Sequence, residues 1–218
     1  MNFIPTMIRT LIMRIDKKCG TNFKPVFGNS YRSGMRLISP FWRRLNPLII
    51  KLTYSLRLNG AEKIKLHLGC GHKHFDGYVN MDLWLNESVD VVGDITKLPW
   101  PDGAATIVES YHVIEHLPHP RVPAVLKEWY RVLEPGGLLV LEAPHFDEAV
   151  KEYLAGNESR IENIFGHQRF PGDAHMFGYT PQRLIRLLEQ AGFKNFRQTP
   201  PQSSQTQEEP SFRIECSK

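Results

Sequence analysis

Residues 66–82 read LHLGCGHKHFDGYVNMD, and the fold turns on them. The apolar run Ile64–Leu68 suits a buried strand, and it passes directly into Gly69-Cys70-Gly71. A glycine-x-glycine turn lets the backbone approach a ligand with no side chain in the way, and it offers N–H groups to a negative group. A second run, Tyr78–Met81, ends on Asp82. In sheets of this kind an acid at that strand end accepts hydrogen bonds from ribose hydroxyls. Only nine residues, Gly69–Gly77, join the two runs, whereas a parallel crossover usually needs about a dozen or more. The sequence therefore predicts that the first crossover helix is cut to a turn or missing. Asp82 follows Gly71 by eleven residues, not the roughly 20 of a dinucleotide fingerprint. This disfavours NAD or FAD, whose pyrophosphate would want that helix N-terminus.

Outward from this stretch, short apolar runs alternate with helical segments, the pattern of an α/β sheet. Further strands are predicted at Val89–Val92, Thr106–Glu109, Leu138–Glu142, Asn195–Gln198 and Phe212–Glu215. One helix runs from about Arg121 to Leu133 and stops at Pro135-Gly136-Gly137. Another has Thr180 as N-cap, Pro181 in its first turn, the stripe Leu184/Ile185/Leu187/Leu188, and Gly192 as its stop. Three more short motifs fall at strand ends: Val92-Gly93-Asp94-Ile95, Tyr111-His112-Val113-Ile114-Glu115-His116, and Leu133-Glu134-Pro135-Gly136-Gly137.

In this order and spacing, over about Lys63–Lys218, the motifs resemble class I S-adenosylmethionine-dependent methyltransferases. The opening LHLGCG…GYVNMD and a basic amphipathic N-terminal extension look closest to small methyltransferases of surface polysaccharide biosynthesis. The resemblance implies a Rossmann-like seven-stranded sheet ordered 3-2-1-4-5-7-6, flanked by helices, with strand seven antiparallel. It implies S-adenosyl-L-methionine as cofactor, which has no phosphate and needs only backbone contact at its methionine end. Gly69, Cys70 and Gly71 would line the methionine moiety, Asp82 the ribose, and Asp94 with Ile95 the adenine. Tyr111 and His112 would sit beside the sulfonium. For Asp82 and Asp94 the plainer alternative is turn chemistry, since Asp favours strand ends; for Cys70 it is that a small residue fits there.

Methyl transfer to oxygen is a displacement in which alignment supplies much of the rate and a base removes one proton. His112, at the carboxyl end of strand four, is best placed for that role. His145, after strand five, and His175, in the Gly166–His175 stretch of an insertion, are the other catalytic candidates. His116 is read as a partner of Glu115. His145, Asp147, His167, Asp173 and His175 are of metal-ligating type, but their spacing matches no compact ligand pair, and no metal is expected. Enzymes that methylate exocyclic base nitrogens carry an Asp/Asn-Pro-Pro-aromatic tetrapeptide where this chain has Glu109-Ser110-Tyr111-His112. An oxygen or carbon acceptor is thereby favoured.

The chain has 218 residues, 41% hydrophobic and 23% charged, the composition of a globular protein with a real core. Its three cysteines, Cys19, Cys70 and Cys216, form no CxxC pair, which argues against a disulfide scaffold or zinc ribbon. The net charge of +4 is unevenly divided. Residues 1–60 hold eleven Lys/Arg and one acid, net +10; residues 61–218 hold sixteen and twenty-two, net −6. Two domains are expected: a basic amphipathic extension over 1–60 and the methyltransferase domain over 61–218. The first fifteen residues place Phe3, Ile4, Met7, Ile8, Leu11, Ile12 and Ile15 on one helical stripe, and a second helix is expected over 46–60. The extension suits a membrane surface, packing on the domain or a partner, or a transit peptide. The expected location is cytoplasmic, with peripheral contact at the inner membrane surface through residues 1–60. The expected acceptor is a small molecule or a glycan sugar, and nucleic acid is not an expected partner. A catalytically silent nucleoside-binding module that scaffolds glycan assembly is the alternative.

Overall fold

In the computed structural model, residues 63–203 and 209–218 are described. The expected helices over 1–15 and 46–60 lie outside them. Seven strands form one sheet in the order β3-β2-β1-β4-β5-β7-β6: β1 Ile64–Leu68, β2 Val79–Asp82, β3 Val91–Val92, β4 Ala105–Tyr111, β5 Leu133–Pro144, β6 Lys194–Thr199 and β7 Ser211–Ser217. Adjacent pairs β1/β2, β2/β3 and β4/β5 are parallel, whereas β7 is antiparallel to both β5 and β6. This is the Rossmann-like order that the sequence implied. Among the described residues, four α-helices accompany it: α1 Val122–Val132, α2 Phe146–Leu154, α3 Arg160–Phe165 and α4 Pro181–Ala191. None of these helices is long and apolar enough to cross a membrane. Two compact units can be distinguished, one ending at Ile95 and the other running from Thr96 to Lys218.

In the first unit, residues 69–78 join β1 to β2 by turns alone, as the short spacing predicted. Asn80 does the work a crossover helix would do. Its side chain is fully buried in β2. Its Oδ1 accepts from the Phe75 N–H at 2.9 Å and from His67 Nδ1 at 3.0 Å. Its Nδ2 donates to Phe75 O at 3.1 Å and to Asp90 Oδ2 at 2.9 Å. Phe75 also stacks on the His67 ring, 4.0 Å between centroids. One amide thus satisfies both backbone groups of Phe75 and fixes the loop without helical hydrogen bonds.

In the second unit, α1 buries Val122, Val125, Leu126, Trp129 and Val132, the stripe expected of a helix laid on a sheet. It packs against α4, whose Thr180 cap and left-handed Gly192 stop lie where the sequence placed them. Strand β5 starts earlier than predicted because the Glu134–Gly137 turn is carried within it; the register to β4 shifts between Ala105 and Ile107 to accommodate it. Helices α2 and α3 fall in the 147–179 insertion, for which the sequence offered no periodic pattern. Only Ala149 of α2, and no residue of α3, is buried.

Candidate active site

The glycine turn of the first unit spends its N–H groups internally, which corrects the expectation that they are free for a ligand. Gly69 N and Cys70 N both donate to Met81 O, at 2.8 and 3.1 Å, and Gly71 N donates to Asp82 Oδ2 at 2.8 Å. What the turn provides is space. Gly71 holds a left-handed φ of 54°, and nothing lies within 4 Å of the position a Cβ would take. Its neighbour Cys70 turns its side chain inward, 3% exposed, into a cluster with Leu85, Val89 and Val92. Burial, reinforced by the charges of Asp82 and Asp90, pushes that thiol far above its ordinary pKa. Cys70 therefore offers a ligand only its backbone.

Asp82 sits at the carboxyl end of β2. Besides Gly71 it holds the Trp84 N–H, on Oδ1, at 2.9 Å. Each carboxylate oxygen keeps lone-pair capacity for a further donor. Asp94 is exposed and Ile95 half-buried just beyond β3, where Gly93 N donates to Asp82 O at 2.9 Å. The structure thus brings Gly71 and Asp82 into direct contact and sets Asp94 and Ile95 on the segment that follows.

In the second unit the carboxyl end of β4 carries Tyr111 and His112. The Tyr111 hydroxyl donates to Glu109 Oε2 and receives Arg213 Nη1 at 3.3 Å; burial and the Glu109 carboxylate push its pKa up. His112 has a φ of 54°, a conformation that costs a non-glycine residue energy and persists where the surroundings enforce it. Those surroundings are carboxylates. His112 Nδ1 lies 3.1 Å from Glu209 Oε1 and 3.7 Å from Glu115 Oε1, and its N–H donates to Glu142 O at 2.9 Å. Nε2 meets Ser203 Oγ at 3.2 Å. Burial alone would lower the imidazole pKa; the Glu209 hydrogen bond and the charges of Glu115, Glu209 and Glu142 outweigh it and raise the value.

Glu142 is the anchor of this network. It is fully buried and accepts from Gln202 N at 2.7 Å, Ser203 N at 2.9 Å and Arg213 Nη1 at 3.0 Å. Burial would raise its pKa, but these bonds together lower it. Glu142, Ser203, Glu209 and Arg213 were missed by sequence reasoning. Their partners lie 60 to 102 positions away along the chain, and no local pattern marks them.

The other two histidine candidates are held elsewhere. His145 caps α2, its Nδ1 accepting from Glu148 N at 3.4 Å, and its ring packs on Phe212. His175 donates from Nδ1 to Asn163 O at 2.8 Å and meets the His116 ring at 5.0 Å. His116 is near its expected partner, its Nε2 4.0 Å from Glu115 Oε1. The remaining polar residues considered as a ligand set separate as well. His167 pairs with Glu162 at 3.3 Å, Asp173 pairs with Arg169 at 2.9 Å, and Asp147 is exposed.

Comparison with known proteins supplies the class. Residues 66–141 match the family model described as a methyltransferase domain. A probable S-adenosylmethionine-dependent methyltransferase of Mycolicibacterium smegmatis is 29% identical over 102 residues, 47% of this chain and 34% of that protein. Segment 66–141 is thus similar to methyltransferase domains. The match takes in only about a third of the length of the curated relative. Among solved structures, a methyltransferase of Methanosarcina mazei aligns at 18% identity over 73% of this chain and 95% of that one, TM-score 0.50. Human N-acetylserotonin methyltransferase in complex with S-adenosylmethionine aligns at 17% identity over 93% and 61%, TM-score 0.49. At these identities the likeness is one of fold.

The methyltransferase domain has residues that fit the cofactor. Gly71 leaves open space at a backbone turn, and the Asp82 carboxylate retains acceptors for two hydroxyl donors. The methionine end would lie against Gly69–Gly71 and the ribose against Asp82.

Proposed function

We propose that the activity of this domain is that of the whole chain, and that its methyl acceptor is an oxygen on a small molecule or on a sugar of a surface glycan. S-adenosylmethionine supplies an electrophilic methyl group, so the protein's task at the acceptor is to orient a hydroxyl and take its proton. The observation that carries this reading is the Glu209–His112 pair, 3.1 Å from Oε1 to Nδ1. A carboxylate accepts and cannot donate, so the imidazole bears its hydrogen on Nδ1 and its lone pair on Nε2. Ser203 Oγ lies 3.2 Å from Nε2, so a hydroxyl can come within hydrogen-bond reach of that nitrogen. The surrounding carboxylates raise the His112 pKa, which makes the imidazole a stronger base. The glycan half of the reading rests on the resemblance of the LHLGCG…GYVNMD opening and on the basic extension.

The test is transfer of a labelled methyl group from S-adenosylmethionine by the full chain across sugar-nucleotide, glycan and small hydroxylated acceptors. His112→Asn tolerates the left-handed backbone and removes the base. It is expected to lower turnover by about 10²–10⁴-fold while S-adenosylhomocysteine binds as before. Normal turnover in this variant would end the base assignment. Transfer to amines alone would overturn the oxygen reading.

A further inference from the structure

Glu115 lies in the short 3-10 turn Ile114–His116 after β4, and its side chain is 2% exposed. Neither of its buried carboxylate oxygens has a hydrogen-bond partner. A buried carboxylate without hydrogen bonds is expensive, and such groups are ordinarily paired with a charge or bound to a metal. Three imidazoles are close to it. His112 Nδ1, at 3.7 Å, is already taken by Glu209. His116 Nδ1 lies 3.1 Å from Ala174 O, and His175 Nδ1 lies 2.8 Å from Asn163 O. A carbonyl only accepts, so both rings carry their hydrogen on Nδ1 and keep the lone pair on Nε2. This is the arrangement of metal-bound histidines, whose second nitrogen is oriented by a backbone carbonyl or carboxylate.

Glu115, His116 and His175 each offer one ligand atom, all within 4.8 Å of one another. Tetrahedral ligands at about 2.1 Å from zinc stand roughly 3.4 Å apart, so inward side-chain shifts of about an ångström would close the set. We propose that Glu115, His116 and His175 bind one divalent transition-metal ion, with zinc the ion whose preferences fit two imidazoles and a carboxylate. Three protein ligands leave a fourth position open. Glu115 and His175 also border a small recess, from which a water would complete the coordination. The ion would clip the turn after β4 to the insertion, which Met176 N already joins to Glu115 O at 2.7 Å. The expectation of no metal rested on local spacing, and His175 meets Glu115 and His116 only through the fold.

The untagged full chain, stripped with a chelator and dialysed, is titrated with Zn²⁺ by calorimetry, with Tm and bound-metal content read in parallel. The expected result is one ion per chain, a higher Tm with the ion, and at least a tenfold loss of affinity in His116→Ala, His175→Ala and Glu115→Gln. Glu115→Gln is nearly isosteric and has no side-chain hydrogen bond to lose, so it reports on ligation rather than on folding. His72→Ala/His167→Ala, which removes two imidazoles outside the set, should bind as the parent does. No binding by the parent chain, undiminished binding in all three ligand variants, or loss in the control pair would each overturn the site. S-adenosylhomocysteine calorimetry on the same preparations keeps this outcome separate from that of the cofactor reading.

Discussion

Asp82 holds a turn while keeping acceptor capacity that a ligand could use. Its two oxygens hold Gly71 N at 2.8 Å and Trp84 N at 2.9 Å, the ordinary turn chemistry of an aspartate. The same bonds fix the carboxylate at the strand end, with acceptors left over for ribose hydroxyls. The two roles are separable by measurement. Asp82→Asn keeps one acceptor oxygen and the shape but loses the charge, and calorimetry with S-adenosylhomocysteine is expected to show a loss of about 1–3 kcal/mol. An unchanged affinity accompanied by a lower Tm would leave Asp82 a purely structural residue. Cys70, by contrast, is settled by its surroundings. Its thiol is buried among apolar side chains, and the plainer sequence reading, a small residue in a tight place, describes it.

The helix-free crossover between β1 and β2 depends on Asn80 in the way an ordinary crossover depends on a packed helix. Asn80→Ala removes the amide that bonds both the N–H and the carbonyl of Phe75, and leaves His67 and Asp90 buried with fewer bonds. Urea denaturation is expected to show a loss of about 3 kcal/mol or more, and the Phe75 amide should lose its protection from hydrogen exchange. A variant as stable as its parent would mean that the loop is held by the Phe75–His67 stack instead. At the other end of the sheet, Glu142 and Arg213 face each other on the paired strands β5 and β7. The folded-state pKa of Glu142 is depressed from 4.5. Its contribution is therefore complete above the unfolded value and is lost as pH falls through the folded one. Denaturation midpoints should decline below about pH 4.5, and Glu142→Gln should flatten that decline while lowering stability at pH 7. The strands, the two well-marked helices and the missing crossover helix were legible because each is encoded by neighbours in sequence. The His112 surroundings were not, since Ser203 is 91 positions away and Glu209 sits in a stretch without periodicity. The insertion helices were missed for another reason: both are short and bury almost nothing.

The division of charge along the chain belongs to no single element. Residues 1–60 carry a net +10 and the rest −6, so whatever anionic surface the protein meets, it meets through the extension. Residues 3–15 add an apolar stripe, with Arg9 and Arg14 off it. A cationic stripe-bearing segment of this kind suits the headgroup region of an anionic bilayer, where lipid-linked glycans are built. Each basic residue near such a surface contributes about 1 kcal/mol, and the attraction is screened beyond about 8–10 Å near physiological ionic strength. The full chain is therefore expected to sediment with anionic liposomes at low salt, to release as salt rises, and to ignore neutral liposomes. Reversing Arg9 and Arg14 to Glu should weaken sedimentation without altering S-adenosylhomocysteine binding, because neither lies in the motif-bearing domain. Sedimentation indifferent to both lipid charge and these reversals would remove the membrane from the account. Loss of cofactor binding in the reversed variant would instead make the extension part of the catalytic fold.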